Sequence, residues 1–358
     1  MLRVFEAFAG YGSQSIALRN LGIEHEVVAI SEIDKYAIKA YEAIHGPVLN
    51  LGDISKIDPK DIPQHDLFTY SFPCQDLSVA GKQAGLGKGT RSGLLYECEK
   101  IIEYCRPKYL LLENVKNLVG KKFKADFDKW LEYLEGLGYT NYWQVLNAKN
   151  YGVPQNRERV FVISILGEHE PFEWPTPIPL KKCIADILED EVDEKYYLSD
   201  ELVDRFKQST KKDKYPFGKE YKVIGTTVEN EEKKGTNSRD WVYDTNDCIS
   251  TLAATDYKQP KQIICEQRCD EGLRFFKDNI CGTIRTINSG GDKRVIEENF
   301  KIRKLTPREC FRLMGLHDDD IDKIQATGIS NTQQYKMAGN SIVIDVLEAI
   351  FKNLFKGE

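Results

Sequence analysis

The chain has 358 residues, 41% of them hydrophobic, and a formal net charge of −6. This length is enough for a large buried core and for two domains, and the hydrophobic fraction is ordinary for a globular protein. No run of residues is long and apolar enough to span a bilayer, which excludes an integral membrane protein of the helical type. Strand-like sequence begins directly after Met1, so we expect no signal peptide and a cytoplasmic location.

The nine cysteines and five histidines indicate neither a disulfide framework nor a zinc site. No two cysteines are spaced as CxxC, so reduced thiols and no bound metal are expected. The negative net charge argues weakly against a nucleic-acid partner. It does not exclude one, because binding can use a single basic face.

Short apolar runs alternate with amphipathic stretches through the first 165 residues. This alternation predicts an α/β fold with a doubly wound, mostly parallel, Rossmann-like sheet, whose ligands bind at the carboxyl ends of the strands. The predicted strands are Val4–Ala9, Glu26–Ile30, Leu67–Ser71, Tyr109–Glu113 and Val160–Ile165. The predicted helices are Ser13–Leu21, Lys35–His45, Leu94–Cys105 and Phe123–Leu137.

A proline-rich run, Trp174–Pro179, marks the end of this pattern. We therefore predict a catalytic domain over residues 1–179 and a second, smaller domain over 180–302, where the sequence is more polar and richer in turns. Regular helices return in a C-terminal segment, 303–358, which is expected to dock on the first domain. Thr306 followed by Pro307 predicts a capped helix start, and Gln333–Leu354 has a helical apolar pattern.

Three strand ends carry residues suited to an adenosine ligand. The turn Phe8–Ser13 contains Gly10 and Gly12, which let a backbone approach a ligand closely. Glu32 ends the second strand, where a carboxylate can accept hydrogen bonds from ribose hydroxyls, and Asp53 ends the third element. The full phosphate-binding glycine pattern is missing, so a ligand without pyrophosphate is expected. A tight turn that binds nothing is the alternative.

Two further strand ends carry reactive groups. Cys74 follows the predicted strand Leu67–Ser71 and could be a thiolate nucleophile, although a buried structural cysteine is the commoner case. Glu113 ends the next strand, where it could act as a general acid beside Cys74. Arg157 and Arg159 alternate on an extended segment and so point the same way; surface solvation is their alternative.

The chain resembles the DNA cytosine-5 methyltransferases of bacteria and phages. The resemblance is carried, in order, by Phe8–Gly12, Pro73-Cys74-Gln75, Glu113-Asn114-Val115, Gln155-x-Arg157-x-Arg159 and Gly339-Asn340-Ser341. The resemblance is good over residues 1–175 and 303–358. In the region between them only the general character of the sequence is similar.

The resemblance implies methyl transfer from S-adenosylmethionine to carbon 5 of cytosine in double-stranded DNA. Cys74 would add to the ring at C6, Glu113 would protonate N3, and Arg159, supported by Arg157, would stabilise the O2 carbonyl. The target cytosine must be flipped out of the duplex for this chemistry. A monomer is expected, and the presence of a cognate restriction endonuclease is left open. The predicted cofactor-binding residues are Phe8, Gly10, Gly12, Glu32, Ile33, Asp53, Ile54, Pro73, Asn340 and Ser341.

The predicted DNA contacts fall in two stretches. A glycine-rich segment with Ser78, Lys82 and Arg91 suits a loop that closes over DNA, although an ordinary surface loop has the same composition. The second stretch is the domain 180–302, in which Thr251 and Thr283 are alternative anchors for target recognition. The Thr283 passage is preferred because Arg285 and Arg294 lie near it and arginine reads guanine through two hydrogen bonds. The DNA recognition sequence itself is not predictable.

Three other functions fit part of this pattern. A small-molecule or protein methyltransferase on the same fold is one of them, but it would need no Pro73-Cys74-Gln75 turn. A tRNA cytosine-5 methyltransferase would share the same motifs, but the length of the 180–302 region favours a DNA-reading domain. A catalytically inactive cofactor- or DNA-binding regulator is disfavoured because Cys74 and Glu113 are both present.

Overall fold

The computed structural model describes residues 1–73, 94–203, 223–226, 241–243, 245, 247–268, 272–274 and 300–356. At residues 223–226, 265–268, 272–274 and 300 only the backbone is considered. No helix in these described ranges is long and apolar enough to cross a membrane.

The centre of the molecule is a six-stranded sheet in the order β2-β1-β3-β4-β7-β5. Its strands are β1 (Leu2–Ala7), β2 (His25–Ser31), β3 (Leu67–Tyr70), β4 (Tyr109–Val115), β5 (Tyr139–Asn147) and β7 (Glu158–Leu166). The helices that alternate with them are α1 (Ser13–Asn20), α2 (Lys35–His45), α3 (Leu95–Cys105) and α4 (Lys124–Gly136). The predicted α/β fold is confirmed, with element ends within three residues of those expected.

Each central strand buries both of its faces. Successive residues of β4 enter different clusters: Leu111 packs in the cluster that contains α1 and α2 side chains, and Leu110 packs in the cluster that contains α3 and α4 side chains. Because side chains alternate across a strand, this division shows helices covering both faces of the sheet. Such burial fixes the register of the sheet and the position of every strand end.

Strands β1 to β4 are parallel, whereas β7 runs antiparallel to both β4 and β5. The start of β7 therefore lies at the same edge as the end of β4, and Arg159 is the register partner of Val115. Strand β5 was not predicted from the sequence. It forms an edge of the sheet, and its middle residues are partly exposed.

Two smaller sheets follow. Strand β6 (Gln155–Asn156) pairs in parallel with β10 (Ile249–Ser250), which brings the region 180–302 against the catalytic domain. A five-stranded sheet contains β8 (Val223–Thr226), β9 (Trp241–Tyr243), β11 (Gln262–Arg268), β12 (Gly272–Arg274) and β13 (Phe300–Lys304). Residues of the predicted second domain also enter the main core, among them Tyr243, Ile249, Leu252 and Ile263. The domain division remains a prediction.

The C-terminal segment consists of α5 (Pro307–Arg312), α6 (Asp318–Ala326), α7 (Asn331–Asn340) and α8 (Ile344–Leu354). The predicted cap is present: the Thr306 side chain accepts from the Glu309 amide, and the Glu309 side chain accepts from the Thr306 amide. The pattern over Gln333–Leu354 belongs to two helices, because Ser341 after α7 is extended. This break places Asn340 at the end of α7 and Ser341 in the turn that follows, and α8 packs on α1.

Candidate active site

The first strand ends in a turn with an unusual backbone. Phe8, Gly10 and Gly12 all have positive φ, at 56°, 60° and 83°. Phe8 is one of only two non-glycine residues with positive φ in the described ranges, a conformation that costs free energy and is often found at functional sites. A Cβ at Gly10 would meet no atom within 4 Å, whereas one at Gly12 would lie 2.4 Å from His45 Nε2. Gly10 thus borders open space, and Gly12 permits close packing.

Glu32, directly after β2, is held by backbone amides. Its Oε2 accepts from the Gly10 amide at 2.9 Å, and its Oε1 accepts from the Ile33 and Asp34 amides at 2.8 Å each. Asn50 fixes the backbone of Glu32 on both sides, since its Oδ1 accepts from the Glu32 amide and its Nδ2 donates to the Glu32 carbonyl. The carboxylate therefore has a fixed position. Its oxygens can accept further hydrogen bonds from a ligand, because a carboxylate offers about four acceptor sites.

A single cavity of about 330 Å³ lies along the carboxyl edge of β1 to β4. It is lined by nine of the ten predicted cofactor residues: Phe8, Gly10, Glu32, Ile33, Asp53, Ile54, Pro73, Asn340 and Ser341. Gly12 is the exception; it does not line the cavity and instead packs closely against His45. The cavity is also lined by the predicted catalytic residues Glu113, Arg157 and Arg159. One space thus joins the two groups of residues that the sequence analysis treated separately.

Glu113 is the buried acid of this cavity. Its side chain is 9% exposed and its Oε1 lies 3.2 Å from Arg159 Nε. Burial raises the pKa of the Glu113 carboxyl above its ordinary value, and the positive charges of Arg159 and Arg157 oppose that rise. A carboxyl that keeps its proton at higher pH can deliver it to a base in the cavity. The neighbouring Asn114 donates to the carbonyl of Phe72, which ties the end of β4 to the turn that contains Pro73.

Arg157 and Arg159 differ in what they contact. Arg159 faces Glu113, and its Nη1 donates to the Glu158 carbonyl. Arg157 is 3% exposed, and its guanidinium donates to the carbonyls of Leu252, Gly339 and Ser341. The two arginines of the motif therefore both line the cavity, and Arg157 donates hydrogen bonds to backbone carbonyls around it.

The C-terminal segment closes the cavity from the far end of the sequence. Ser341 Oγ accepts a hydrogen bond from the Tyr11 hydroxyl at 2.6 Å and donates to the Ala338 carbonyl. Lys336, Met337 and Gly339 of α7 line the same space. Asn340 and Ser341 thus line the same cavity as Glu32, and the Tyr11 hydroxyl holds Ser341 in place.

Several predicted residues lie outside the described ranges: Cys74, Ser78, Lys82, Arg91, Thr283, Arg285 and Arg294. Of the two candidate recognition anchors, Thr251 is described. Its hydroxyl donates to the Asn156 carbonyl at 2.8 Å, so it sits directly beside β6, which ends at the residue before Arg157.

Sequence reasoning gave no role to Asn50, Tyr11 or Gln155, although Gln155 belongs to the motif Gln155-x-Arg157-x-Arg159. The side chain of Gln155 is fully buried; its Nε2 donates to the Leu313 carbonyl and its Oε1 accepts from the Leu252 amide. Its position ahead of two alternating arginines was the available signal for Gln155. Asn50 and Tyr11 had no such signal, because each acts on a partner distant in sequence.

Comparison with known proteins agrees with this geometry. The sequence model of the family described as C-5 cytosine-specific DNA methylase matches residues 2–356. The type II methyltransferase M2.ScrFI of Lactococcus lactis subsp. cremoris is 40% identical over 100% of both chains. The orphan methyltransferase M.SPBetaI of Bacillus phage SPbeta is 34% identical over 99% of this chain and 97% of the phage protein.

Solved structures share the fold at lower identity. The Entamoeba histolytica methyltransferase EhMeth superposes with a TM-score of 0.70 at 18% identity, covering 99% of this chain and 98% of that one. The S. pombe Dnmt2 methyltransferase gives 0.66 at 17% identity, covering 99% of each chain. The match of the family model across the whole chain and the 40% identity to a type II enzyme show that the chain belongs to the C-5 cytosine-specific DNA methylases and is a DNA cytosine-5 methyltransferase.

Proposed function

We propose that the chain transfers a methyl group from S-adenosylmethionine to carbon 5 of a flipped-out cytosine in duplex DNA, through a covalent bond between Cys74 and C6 of the ring. The observation that supports this most directly is the single cavity. It contains a fixed carboxylate, Glu32, at the end of β2 and a buried acid, Glu113, at the end of β4. Pro73, the residue before Cys74, lines the same space.

The β2 side of the cavity fits the adenosyl part of the cofactor. Glu32 is held by three amides in a position to accept from ribose hydroxyls. Ile33 leaves 74% of its surface exposed beside it, an apolar face against which an adenine ring can pack. Gly10 and Gly52 have positive φ, and a Cβ at either would meet open space, so a ligand can approach their backbone closely. When bound, the cofactor supplies an electrophilic methyl sulfonium.

The β4 side fits the pyrimidine chemistry. Carbon 5 of cytosine is a weak nucleophile, so the Cys74 thiolate first adds to C6 and forms a carbon–sulfur bond, while the displaced electron pair moves toward N3. Glu113 donates its proton to N3, and Arg159, beside Glu113, hydrogen-bonds to the O2 carbonyl. The resulting enamine is nucleophilic at C5 and takes the methyl group.

Completion of the reaction needs a proton transfer away from the ring. As C5 takes the methyl group, the methyl–sulfur bond breaks and S-adenosylhomocysteine is left. The proton on N3 then returns to Glu113, a base removes the proton from C5, and the electron pair restores the C5–C6 double bond as the carbon–sulfur bond breaks and releases the Cys74 thiolate. Water in the cavity can serve as this base. The cytosine reaches the cavity only outside the base stack, at a cost of a few kcal/mol.

Target recognition is assigned to the region 180–302. The Thr251 passage packs on β6 beside the cavity. The Thr283 passage, which is preferred from its sequence, lies outside the described residues. The segment with Ser78, Lys82 and Arg91 is proposed to contact DNA phosphates, and the protein is proposed to act as a monomer.

The covalent step is tested by trapping. The protein is incubated with S-adenosylmethionine and duplex DNA that contains 5-fluorocytosine, which lacks the removable proton at C5. We expect a complex that survives denaturation on a gel, and we expect none with Cys74→Ser, because a serine hydroxyl is far less ionised at neutral pH. Cys183→Ser is the matched control and should form the complex normally. An adduct with fluorinated RNA but none with DNA, or an adduct formed by Cys74→Ser, would contradict the proposal.

A further inference from the structure

One peptide of the region 180–302 is held by two buried side chains of the same short motif. The Leu252 amide donates to Gln155 Oε1 at 3.0 Å, and the Leu252 carbonyl accepts from Arg157 Nη1 at 2.9 Å. Gln155 is fully buried and Arg157 is 3% exposed. Beside them, the Thr251 hydroxyl donates to the backbone of Asn156. Burying an amide and a guanidinium is costly unless they are hydrogen-bonded, so these contacts hold Leu252 in one place.

The same two side chains reach the C-terminal segment. Gln155 Nε2 donates to the Leu313 carbonyl at 2.8 Å. Arg157 Nη2 donates to the Ser341 carbonyl at 2.7 Å and to the Gly339 carbonyl at 3.2 Å. We call Gln155 and Arg157 the clasp. It joins three parts of the chain that are far apart in sequence: the Leu252 peptide, the end of α5 and the turn after α7.

Backbone packing supports the same connection. A Cβ at Gly339 would lie 2.3 Å from the carbonyl carbon of Ala253 and 2.4 Å from the amide nitrogen of Ala254. Helix α7 and the 3₁₀ turn Ala254–Lys258 are therefore in direct backbone contact. Movement of the α7 end displaces the peptide that follows Leu252, because nothing compressible separates them.

The two ends of the clasp serve different ligands under the proposed function. Gly339 and Ser341 line the cavity assigned to the cofactor, and the Leu252 peptide belongs to the region assigned to DNA. A ligand that orders the turn after α7 also fixes two of the carbonyls that Arg157 binds. Because the same guanidinium binds the Leu252 carbonyl, the position of the turn after α7 and the position of the Leu252 peptide change together, so each ligand favours the arrangement that the other ligand binds.

We propose that the clasp couples the two binding sites: S-adenosylmethionine and DNA bind with positive cooperativity through Gln155 and Arg157. Arg157 is then a positioning residue that acts through the backbone, in contrast to Arg159, which faces Glu113. This inference rests on the proposed function for the identity of the two ligands. A purely structural role for the clasp would affect stability and leave the coupling unchanged.

The test measures coupling directly. The dissociation constant of S-adenosylhomocysteine is determined by calorimetry for the protein alone and for the protein saturated with duplex fragments of unmethylated plasmid DNA. We expect DNA to tighten binding at least about fivefold in the wild type, the lower end of ordinary coupling. Arg157→Lys keeps the charge but cannot reach the carbonyls on both sides, and Gln155→Met keeps the shape without the hydrogen bonds. Both should bring the ratio of the two constants close to one.

Arg312→Lys is the matched control. Arg312 also donates to backbone carbonyls across the region boundary, at Ile187 and Leu188, yet it does not line the cavity. It should keep the wild-type ratio. Thermal melting and circular dichroism confirm that each variant is folded, and Gln155→Met provides the test if Arg157→Lys does not fold.

Three results would overturn the inference. These are a wild-type ratio of one, a wild-type ratio in both folded clasp variants, or an equal loss of coupling in Arg312→Lys. If S-adenosylhomocysteine does not bind the wild type at all, the proposed cofactor is wrong, and so is the coupling proposed for the clasp. Binding of both ligands without coupling would contradict only the coupling and would leave the proposed function in place.

Discussion

Two glutamates in one cavity are held in opposite ways. Glu32, after β2, accepts three hydrogen bonds from backbone amides, whereas Glu113, in β4, is buried against an arginine and has a raised pKa. Strands β1 and β3 separate β2 from β4 in the sheet, so the ends of these two strands stand about 14 Å apart at three strand spacings. Burial favours the neutral form of an acid, and this is the cause of the raised pKa of Glu113.

The difference between the two glutamates matches a difference in task. A charged carboxylate fixed by the backbone is suited to accept hydrogen bonds from a polyol and to stay in place. A buried carboxyl with a raised pKa is suited to give up a proton at the moment when negative charge develops nearby. The comparison therefore assigns binding to the β2 side and chemistry to the β4 side, and substitutions at each glutamate should affect different kinetic constants.

The largest effect is expected from Glu113→Gln. Glutamine keeps the shape of the side chain but cannot deliver a proton to N3, so the methylation rate should fall by about 10²-fold or more, the usual scale for general acid catalysis. The affinity for S-adenosylmethionine should stay close to that of the wild type. Single-turnover kinetics with duplex DNA gives both values. A loss of less than about threefold would remove Glu113 from the chemical step and end the contrast with Glu32.

The same glutamate should determine how the rate depends on pH. Because burial raises the pKa of Glu113, the protonated form persists above the range in which an exposed glutamate loses its proton. The single-turnover rate should be sustained through that range and fall as the pH rises through the raised pKa of Glu113. Glu113→Gln should lack this fall. An equal fall of the rate at high pH in the wild type and in Glu113→Gln would show that another group causes the fall.

A smaller effect is expected from Glu32→Gln. The amide loses the negative charge and turns one donor group toward the amides that the carboxylate now accepts from. Hydrogen bonds to a charged group contribute about 1.5–3 kcal/mol, so the dissociation constant for S-adenosylmethionine should rise about tenfold or more. The single-turnover rate at saturating cofactor should change less than about threefold. A large loss of rate with unchanged affinity would reverse the assignment of the two glutamates.

Much of this cavity was predictable from the sequence because its residues follow directly after strands. Once Phe8, Glu32, Pro73 and Glu113 are placed at strand ends, a parallel sheet brings them to one edge. The direction of β7 was not predictable, since an apolar run reads the same either way. Its antiparallel direction is what brings Arg159, which precedes the buried part of the strand, to the edge where the other strands end.

The clasp shows where such reasoning fails. Nothing local in the sequence states that Arg157 donates hydrogen bonds to backbone carbonyls 95 to 184 residues away. Thr251 likewise contacts the backbone of Asn156, 95 residues away, while Thr283, the anchor preferred from the sequence, lies outside the described residues. Contacts between side chains and distant backbone depend on the assembled fold, and neither composition nor periodicity encodes them.

The smallest effect is expected at Asp53, the other acid on the β2 side of the cavity. Asp53 was predicted to accept from the adenine amino group. In the structure its Oδ1 accepts from the amide and hydroxyl of Ser55, and these hydrogen bonds hold the pKa of the carboxyl below its ordinary value. The side chain is also open to water, which competes with a ligand for the remaining acceptor sites. Asp53→Ala should therefore weaken S-adenosylmethionine binding by only about threefold, as measured by calorimetry, with no change in the single-turnover rate. A loss as large as that of Glu32→Gln would mean that adenine recognition, and not the ribose contact, dominates cofactor affinity on this side of the cavity.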